Sequence, residues 1–212
     1  HRGQHVPLDP AFERSFGSVH VRRFDLGPSS VEYDLVDQIR AARVTIGERN
    51  CRWGPARISN GGLWQGPLWP RQRHFCGPQQ WLWVGETIIE DLDFQPRRCI
   101  WQHPAQGEVV SSAFSDVPIG ERLVLYAGLY YPHERELTRP PVTARVLVND
   151  VEIGRLVHAD GDSWKRVELD PDPLHTGVAH GRVTIEVSAD NPDMRSICWA
   201  ATMRGPAREV GE

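Results

Sequence analysis

The stretch from Val142 to Asp170 limits the possible folds more than any other part of the chain. Val142, Ala144, Val146 and Val148 alternate with Thr143, Arg145, Leu147 and Asn149. That is the two-residue period of a strand with one buried face. Asn149-Asp150 is a turn signal, and Ile153 to Val157 returns as a second extended run. Asp160-Gly161-Asp162 supplies another turn, after which Trp164, Val167 and Leu169 start a third strand. Three consecutive strands joined by tight turns predict a β-meander.

Strand-like runs continue on both sides. Trp81 to Leu92, Arg97 to Gln102, Glu108 to Phe114 and Arg122 to Tyr131 precede the meander; Arg182 to Ser188 and Ser196 to Met203 follow it. Asp, Asn, Gly and Pro mark the turns at 115–121, 170–173 and 189–193. Upstream, Val19 to Phe24 is strand-like and residues 1–17 read as an arm or loop. Ser29 to Glu32 matches a capping box, and Val31, Leu35, Ile39 and Ala42 recur at near-helical spacing, so 31–42 suits a helix. Val36 and Val44 to Ile46 suit strands equally well. Many short strands at regular spacing predict an all-β, antiparallel sandwich or barrel. Residues 1–84 form strands and a tryptophan-rich loop on the same sandwich, 85–204 the main β domain, and 205–212 a tail.

Composition excludes several functions. The net charge is −4, with acids and bases interspersed, so no basic face offers itself to nucleic acid. No apolar stretch approaches the roughly 20 residues of a membrane-spanning helix, so no membrane insertion is expected. The opening His-Arg-Gly-Gln-His lacks a signal-peptide pattern, and the chain reads as a mature or excised segment.

Cys51, Cys76, Cys99 and Cys198 form no C-x-x-C pair, which removes the usual zinc spacings. An even number of scattered cysteines fits two disulfides and a secreted or periplasmic location, the alternative being four buried thiols. Of the three connectivities we expect Cys51–Cys76, closing the tryptophan-rich loop, and Cys99–Cys198, stapling two distant strands.

Five of the eight tryptophans fall between Trp53 and Trp83. Cys51 to Gln80 is otherwise rich in Gly, Pro and Arg, the composition of a long loop. Sugars present apolar C–H faces, so flat rings flanked by polar groups make a binding platform. Trp64 and Trp69 are the candidate platform, with Asn60, Gln65, Arg71 and Arg73 as hydrogen-bonding partners. The competing reading makes these rings a lid over the sandwich edge. Trp81 and Trp83 share a strand face and are expected in the core, as are Trp101, Trp164 and Trp199.

The run from Asp160 to Gly177, followed by R-V-T-I-E-V-S-A at 182–189, resembles the late strands of galactose-binding-domain-like jelly rolls. The resemblance covers about 85–204. Arg97 to Pro104 with Tyr33-Asp34-Leu35 also resembles envelope-associated domains of larger bacterial membrane proteins. These resemblances imply an antiparallel jelly-roll sandwich with an N-terminal extension, acting as a carbohydrate-binding or accessory module, some members carrying structural calcium. The partner is then a glycan or, alternatively, an envelope protein, and no cofactor is expected. Fold alone does not transfer function.

His158, Asp160 and Asp162 lack the EF-hand pattern and read as a solvated turn rather than a metal site. His1, as a true N-terminus, has the amine and imidazole of a copper brace, but the residues after it do not match that family. No nucleophile elbow, zinc-protease helix or phosphate loop is present. Asp91, Asp93, Glu134 and Glu136 are the carboxylates available to a glycosidase pair. Non-catalytic binding is the leading reading, a protein-interaction module the second and a glycoside hydrolase the third.

Overall fold

The computed structural model describes residues 12–23, 30–55, 70, 72–79, 81–135 and 139–206. The chain divides into two compact units, residues 1–30 with 207–212 and residues 31–206. In the first, β1 (Phe12–Phe16) pairs with β2 (Val19–Arg23) through a two-residue turn at Gly17-Ser18. Gly17 has φ +61°, the backbone that a tight hairpin demands and glycine supplies. The expected arm at 1–17 is therefore half of a hairpin over its described residues. Its strand has too little alternation to be read from sequence.

The larger unit begins with β3 (Val31–Asp34), β4 (Arg43–Ile46), β5 (Arg49–Asn50), β6 (Arg52–Pro55) and β7 (Gln72–Phe75). It continues with β8 (Trp83–Glu90), β9 (Pro96–Gln102), β10 (Val110–Pro118), β11 (Arg122–Leu129) and the one-turn helix α1 (Tyr131–Glu134). β12 (Val142–Val148), β13 (Val151–His158), β14 (Lys165–Leu169), β15 (His180–Ala189) and β16 (Ile197–Arg204) complete it. The last eight strands pair antiparallel in nested fashion: β9 with β16, β10 with β15, β11 with β14 and β12 with β13. Successive pairs lie in opposite sheets, giving the orders β13-β12-β15-β10 and β14-β11-β16-β9. That wrapping is a jelly roll. Earlier strands widen both sheets. β4 and β5 extend the first beside β10, β8, β7 and β6 extend the second beside β9, and β3 lies against β16. The expected boundary at 84/85 falls inside β8, one continuous strand.

The two inner faces supply the core. Val142, Ala144, Val146 and Val148 meet Val183, Ile185 and Val187 on one side; Leu123, Leu125, Ile197, Trp199 and Ala201 line the other. Gln102 bridges the sheets inside this apolar layer. Its amide donates to Val110 O at 2.7 Å, and its Oε1 accepts from Ser112 Oγ and Trp199 Nε1. A buried amide is tolerable only when satisfied in this way.

Three expectations need correction. The segment from Cys51 to Gln80, expected as a loop, carries β6 and β7, which pair antiparallel and bring Cys51 and Cys76 together. Residues 31–42 are neither one helix nor one strand: after β3, Asp34 Oδ1 accepts Val36 N and a run of turns follows. Leu35, Val36, Ile39 and Ala42 are all buried, so the near-helical spacing is that of a turn-rich segment pressed on the core. The meander also fails at its third strand. β14 leaves β13 and pairs with β11 in the opposite sheet. The reversal uses positive φ at Gly161 and Ser163, and the Trp164 ring then lies on Gly128 of β11. A Cβ at Gly128 would stand 2.6 Å from that ring, so glycine opens the seat that draws β14 across.

Cys51 is bonded to Cys76 and Cys99 to Cys198, the pairing expected from sequence. No described helix is long and apolar enough to cross a membrane.

Candidate functional site

The strand register collects several chain ends at one end of the sandwich. Val84 near the start of β8 and Ile197 at the start of β16 both pair with Gln102, the last residue of β9. Leu129 at the end of β11 pairs with Ile197 in turn. The segments just beyond these positions therefore meet. They enclose a cleft of about 530 Å³ lined by Trp81, Trp101, Tyr130, His103, His133, Gln106 and the loop 191–194, with Ser196.

Trp81 was expected in the core, but it is 40% exposed, whereas Trp83 is 1% exposed. The reason is local: Trp81 sits in a turn before β8 begins, where strand alternation does not apply. Its carbonyl accepts from Trp83 N at 3.1 Å and from Trp101 Nε1 at 3.4 Å, which anchors the backbone while the ring stays outside. The ring lies against His103 with centroids 4.5 Å apart. Trp101 stacks on Trp83 at 5.2 Å and meets Tyr130 at 6.2 Å. Tyr130 in turn meets His133 edge-on at 5.4 Å. The wall thus consists of two ring groups, Trp81 with His103 and Trp83-Trp101-Tyr130-His133, tied by the Trp101 bond to the Trp81 carbonyl.

The opposite wall is the β15–β16 loop. Asn191 Oδ1 accepts Asp193 N, and Arg139 donates to the Asp193 carbonyl and, at 2.6 Å, to its carboxylate. Arg139 also reaches Met194 Sδ. These bonds set the loop as a polar rim facing the rings.

The wall carries a buried imidazole. His103 Nδ1 lies 2.7 Å from Pro104 O, so Nδ1 bears the proton and donates. Burial pushes the His103 pKa down to about 4, and the ring is neutral at pH 7. Behind α1 lies a buried ionic group. Glu134 Oε1 accepts Ser163 N, while Arg195 pairs with Asp160 at 2.7 Å and donates to His133 O. Burial, then the nearby Asp160, Asp162 and Asp91, raise the Glu134 carboxyl to about 7 against the opposing Ser163 bond. Burial also lowers the His158 pKa. The expected solvated turn at 158–162 is exposed at Ala159, Gly161 and Asp162, but His158 is buried and the Asp160 carboxylate, 4% exposed, meets Arg195.

Among the predicted site residues, Asn60, Trp64, Gln65, Trp69 and Arg71 lie outside the described residues, as do His1 and Glu136. Arg73 is described and is 5% exposed, its guanidinium stacked over Trp83 at 4.8 Å and over Phe75 at 5.2 Å. Asp91 is buried, accepts Asp93 N and Gln95 N, and pairs with Arg97, so it organises the β8–β9 turn. Among the described residues no group of three or more His, Cys, Asp or Glu side chains is arranged to hold a metal ion. Sequence reasoning missed Trp81, His103, Tyr130, His133, Asn191 and Asp193. The available signals were the Gly-Pro-Gln-Gln turn that immediately precedes Trp81 and the Asp-Asn-Pro-Asp turn at 190–193.

No family model and no curated protein matches the chain. Among solved structures it is similar to CBM51-2 and INT domains of Clostridium perfringens ZmpB, at 12% identity and TM-score 0.42, over 57% of this chain and 26% of that one. It is also similar to the CBM51 of Clostridium perfringens GH95 in complex with methyl-galactose, at 11% identity and TM-score 0.38, over 56% and 80%. A third is the tandem CBM51 modules of a Streptococcus pneumoniae family 98 glycoside hydrolase, at 7% identity and TM-score 0.41, over 64% and 45%. The chain spans about a quarter of the length of the first of these. The sandwich stands on its own strand pairings.

Proposed function

We propose that this chain is a non-catalytic glycan-binding module, working as an accessory unit outside the reducing cytoplasm. The observation that carries the reading is the half-exposed Trp81 ring at a cleft of about 530 Å³ whose aromatic wall, with the His103 imidazole in it, faces a rim of amide and carboxylate groups. An apolar ring face stacks on sugar C–H groups while convergent polar groups orient the hydroxyls. Two disulfides support an oxidising compartment. Binding of the purified chain to an immobilised glycan array tests the proposal. Trp81→Ala should reduce binding by roughly tenfold or more with little change in melting temperature. A silent array for the folded wild type overturns it.

A second reading, docking to an envelope protein, is favoured by exposed apolar side chains at the other end of the sandwich: Leu174 at 69% and Val151 at 45%. On that reading Leu174→Asp removes capture of the partner and Trp81→Ala leaves it intact.

A further inference from the structure

We infer that the cleft accepts neutral glycosyl residues and rejects their uronic-acid counterparts, with His103 as the residue that reads a ligand hydroxyl. The inference rests on the glycan-binding reading above and adds the ligand's charge class. His103 is 4% exposed on the cleft wall, and its Nδ1 is committed to Pro104 O. A neutral imidazole with its proton on Nδ1 keeps a lone pair on Nε2, and no hydrogen bond among the described residues uses that atom. The group it complements is an O–H donor. At C6 a neutral hexose supplies one through its hydroxymethyl group, whereas the C6 carboxylate of a uronic acid at neutral pH carries only acceptors.

The surrounding charges favour the same class. The neutral His103 ring offers no cation to an acid. Arg139 is held by Asp193 and Met194, and Arg195 is 0% exposed and turned to Asp160 and His133 O. Asp193 brings a carboxylate to the rim with Arg139 already engaged on it, and no described Arg or Lys side chain lines the cleft. An incoming carboxylate finds the Asp193 carboxylate and no cation of the lining to pair with, and at His103 it sets an acceptor against an acceptor. Trp81 against His103 places the stacking surface beside the hydroxyl reader, so one pyranose ring uses both.

The test is an array of galactosyl-, glucosyl- and N-acetylglucosaminyl-terminated glycans printed with their galacturonosyl and glucuronosyl counterparts, probed with wild type, His103→Asn and His103→Gln. Binding confined to neutral termini is expected. Asn keeps a donor near the Nδ1 position and loses the Nε2 acceptor, so H103N should weaken binding roughly tenfold. Gln carries an amide oxygen toward the Nε2 position, and H103Q should retain most of it. Equal or stronger binding of uronosyl termini, or H103N binding like wild type, overturns this inference and leaves glycan binding standing. Silence on every glycan overturns the glycan-binding reading itself. If H103N fails to fold, the wild-type comparison of neutral and acidic termini still decides.

Discussion

The two ends of the sandwich satisfy their polar groups in opposite ways. At the end carrying the Asn149-Asp150 and Pro171–Val178 turns, the partners are exposed, those of Asp172 being local while Asn149 and Asp150 both reach Arg182. Asp172 alone accepts Thr176 N, Thr176 Oγ1 and Gly177 N, within five residues of itself. Asn149 and Asp150 both have positive φ, as a tight β-hairpin turn requires. At the cleft end several partners are distant, and the Glu134, Asp160 and Arg195 side chains among them are buried, while Arg139 and Asp193 meet at the exposed rim. Glu134 reaches Ser163 across 29 residues, Arg139 reaches Asp193 across 54, and Arg195 reaches His133 across 62. One end closes strands; the other holds loops apart so that a cleft survives between them. Buried polar groups at the second end cost stability unless satisfied, which is the usual price of a preformed site.

This contrast can be broken most strongly at Arg195. Arg195→Met leaves Asp160 ionised, buried and without its countercharge, at a cost of about 3–5 kcal/mol. Urea denaturation at pH 7 should show the loss. A variant as stable as wild type would mean that the cleft end is no more dependent on buried pairing than the turn end.

A smaller and pH-dependent effect is expected at Glu134. Its folded-state carboxyl holds a proton up to about pH 7, above the ordinary value of 4.5. The stability tied to that proton is therefore complete below about pH 4.5 and is lost as pH rises to about 7. Glu134→Gln keeps an acceptor for Ser163 N and removes the ionisation. Its melting temperature should match wild type near pH 4.5 and exceed it by several degrees at pH 8. His158 and His103 have lowered values and act in the reverse sense, losing their contribution as pH falls below 6.5. Comparing E134Q with wild type at each pH cancels them. An E134Q advantage that shrinks with rising pH would contradict the assignment.

The smallest effect belongs to the turn end. Asp172→Ala removes three exposed local hydrogen bonds and should lower the melting temperature by no more than about 2 °C. Glycan binding should be unchanged. A larger loss, or a change in binding, would show that the two ends are coupled.

Much of the architecture was legible because it is local. Alternation in β12 and β15, the Asn149-Asp150 turn and the arrangement of short strands predicted an antiparallel sandwich, and each depends on neighbours within a few residues. The disulfide pairing followed from what each bond would enclose. The site was not legible. Trp81 and Trp83 share the same spacing and residue type, yet one ring packs in the outer layer of the second sheet and the other lines the cleft. The difference is where β8 begins, set by its pairing with β9. Likewise His103, Tyr130 and Asn191 are far apart in the chain, and only the register of β9, β11 and β16 brings their segments together.

By itself the sequence determined the class of fold, most strands and turns from Trp83 onward and the cysteines that staple it, because periodicity and turn chemistry act over short distances. Tertiary structure decided which sheet each strand joins, as β14 shows by crossing to β11 to seat Trp164 on Gly128. It also decided which polar residues are buried and which aromatic ring is left for a ligand. Those outcomes depend on long-range pairing and on desolvation, neither of which any short window of the chain contains.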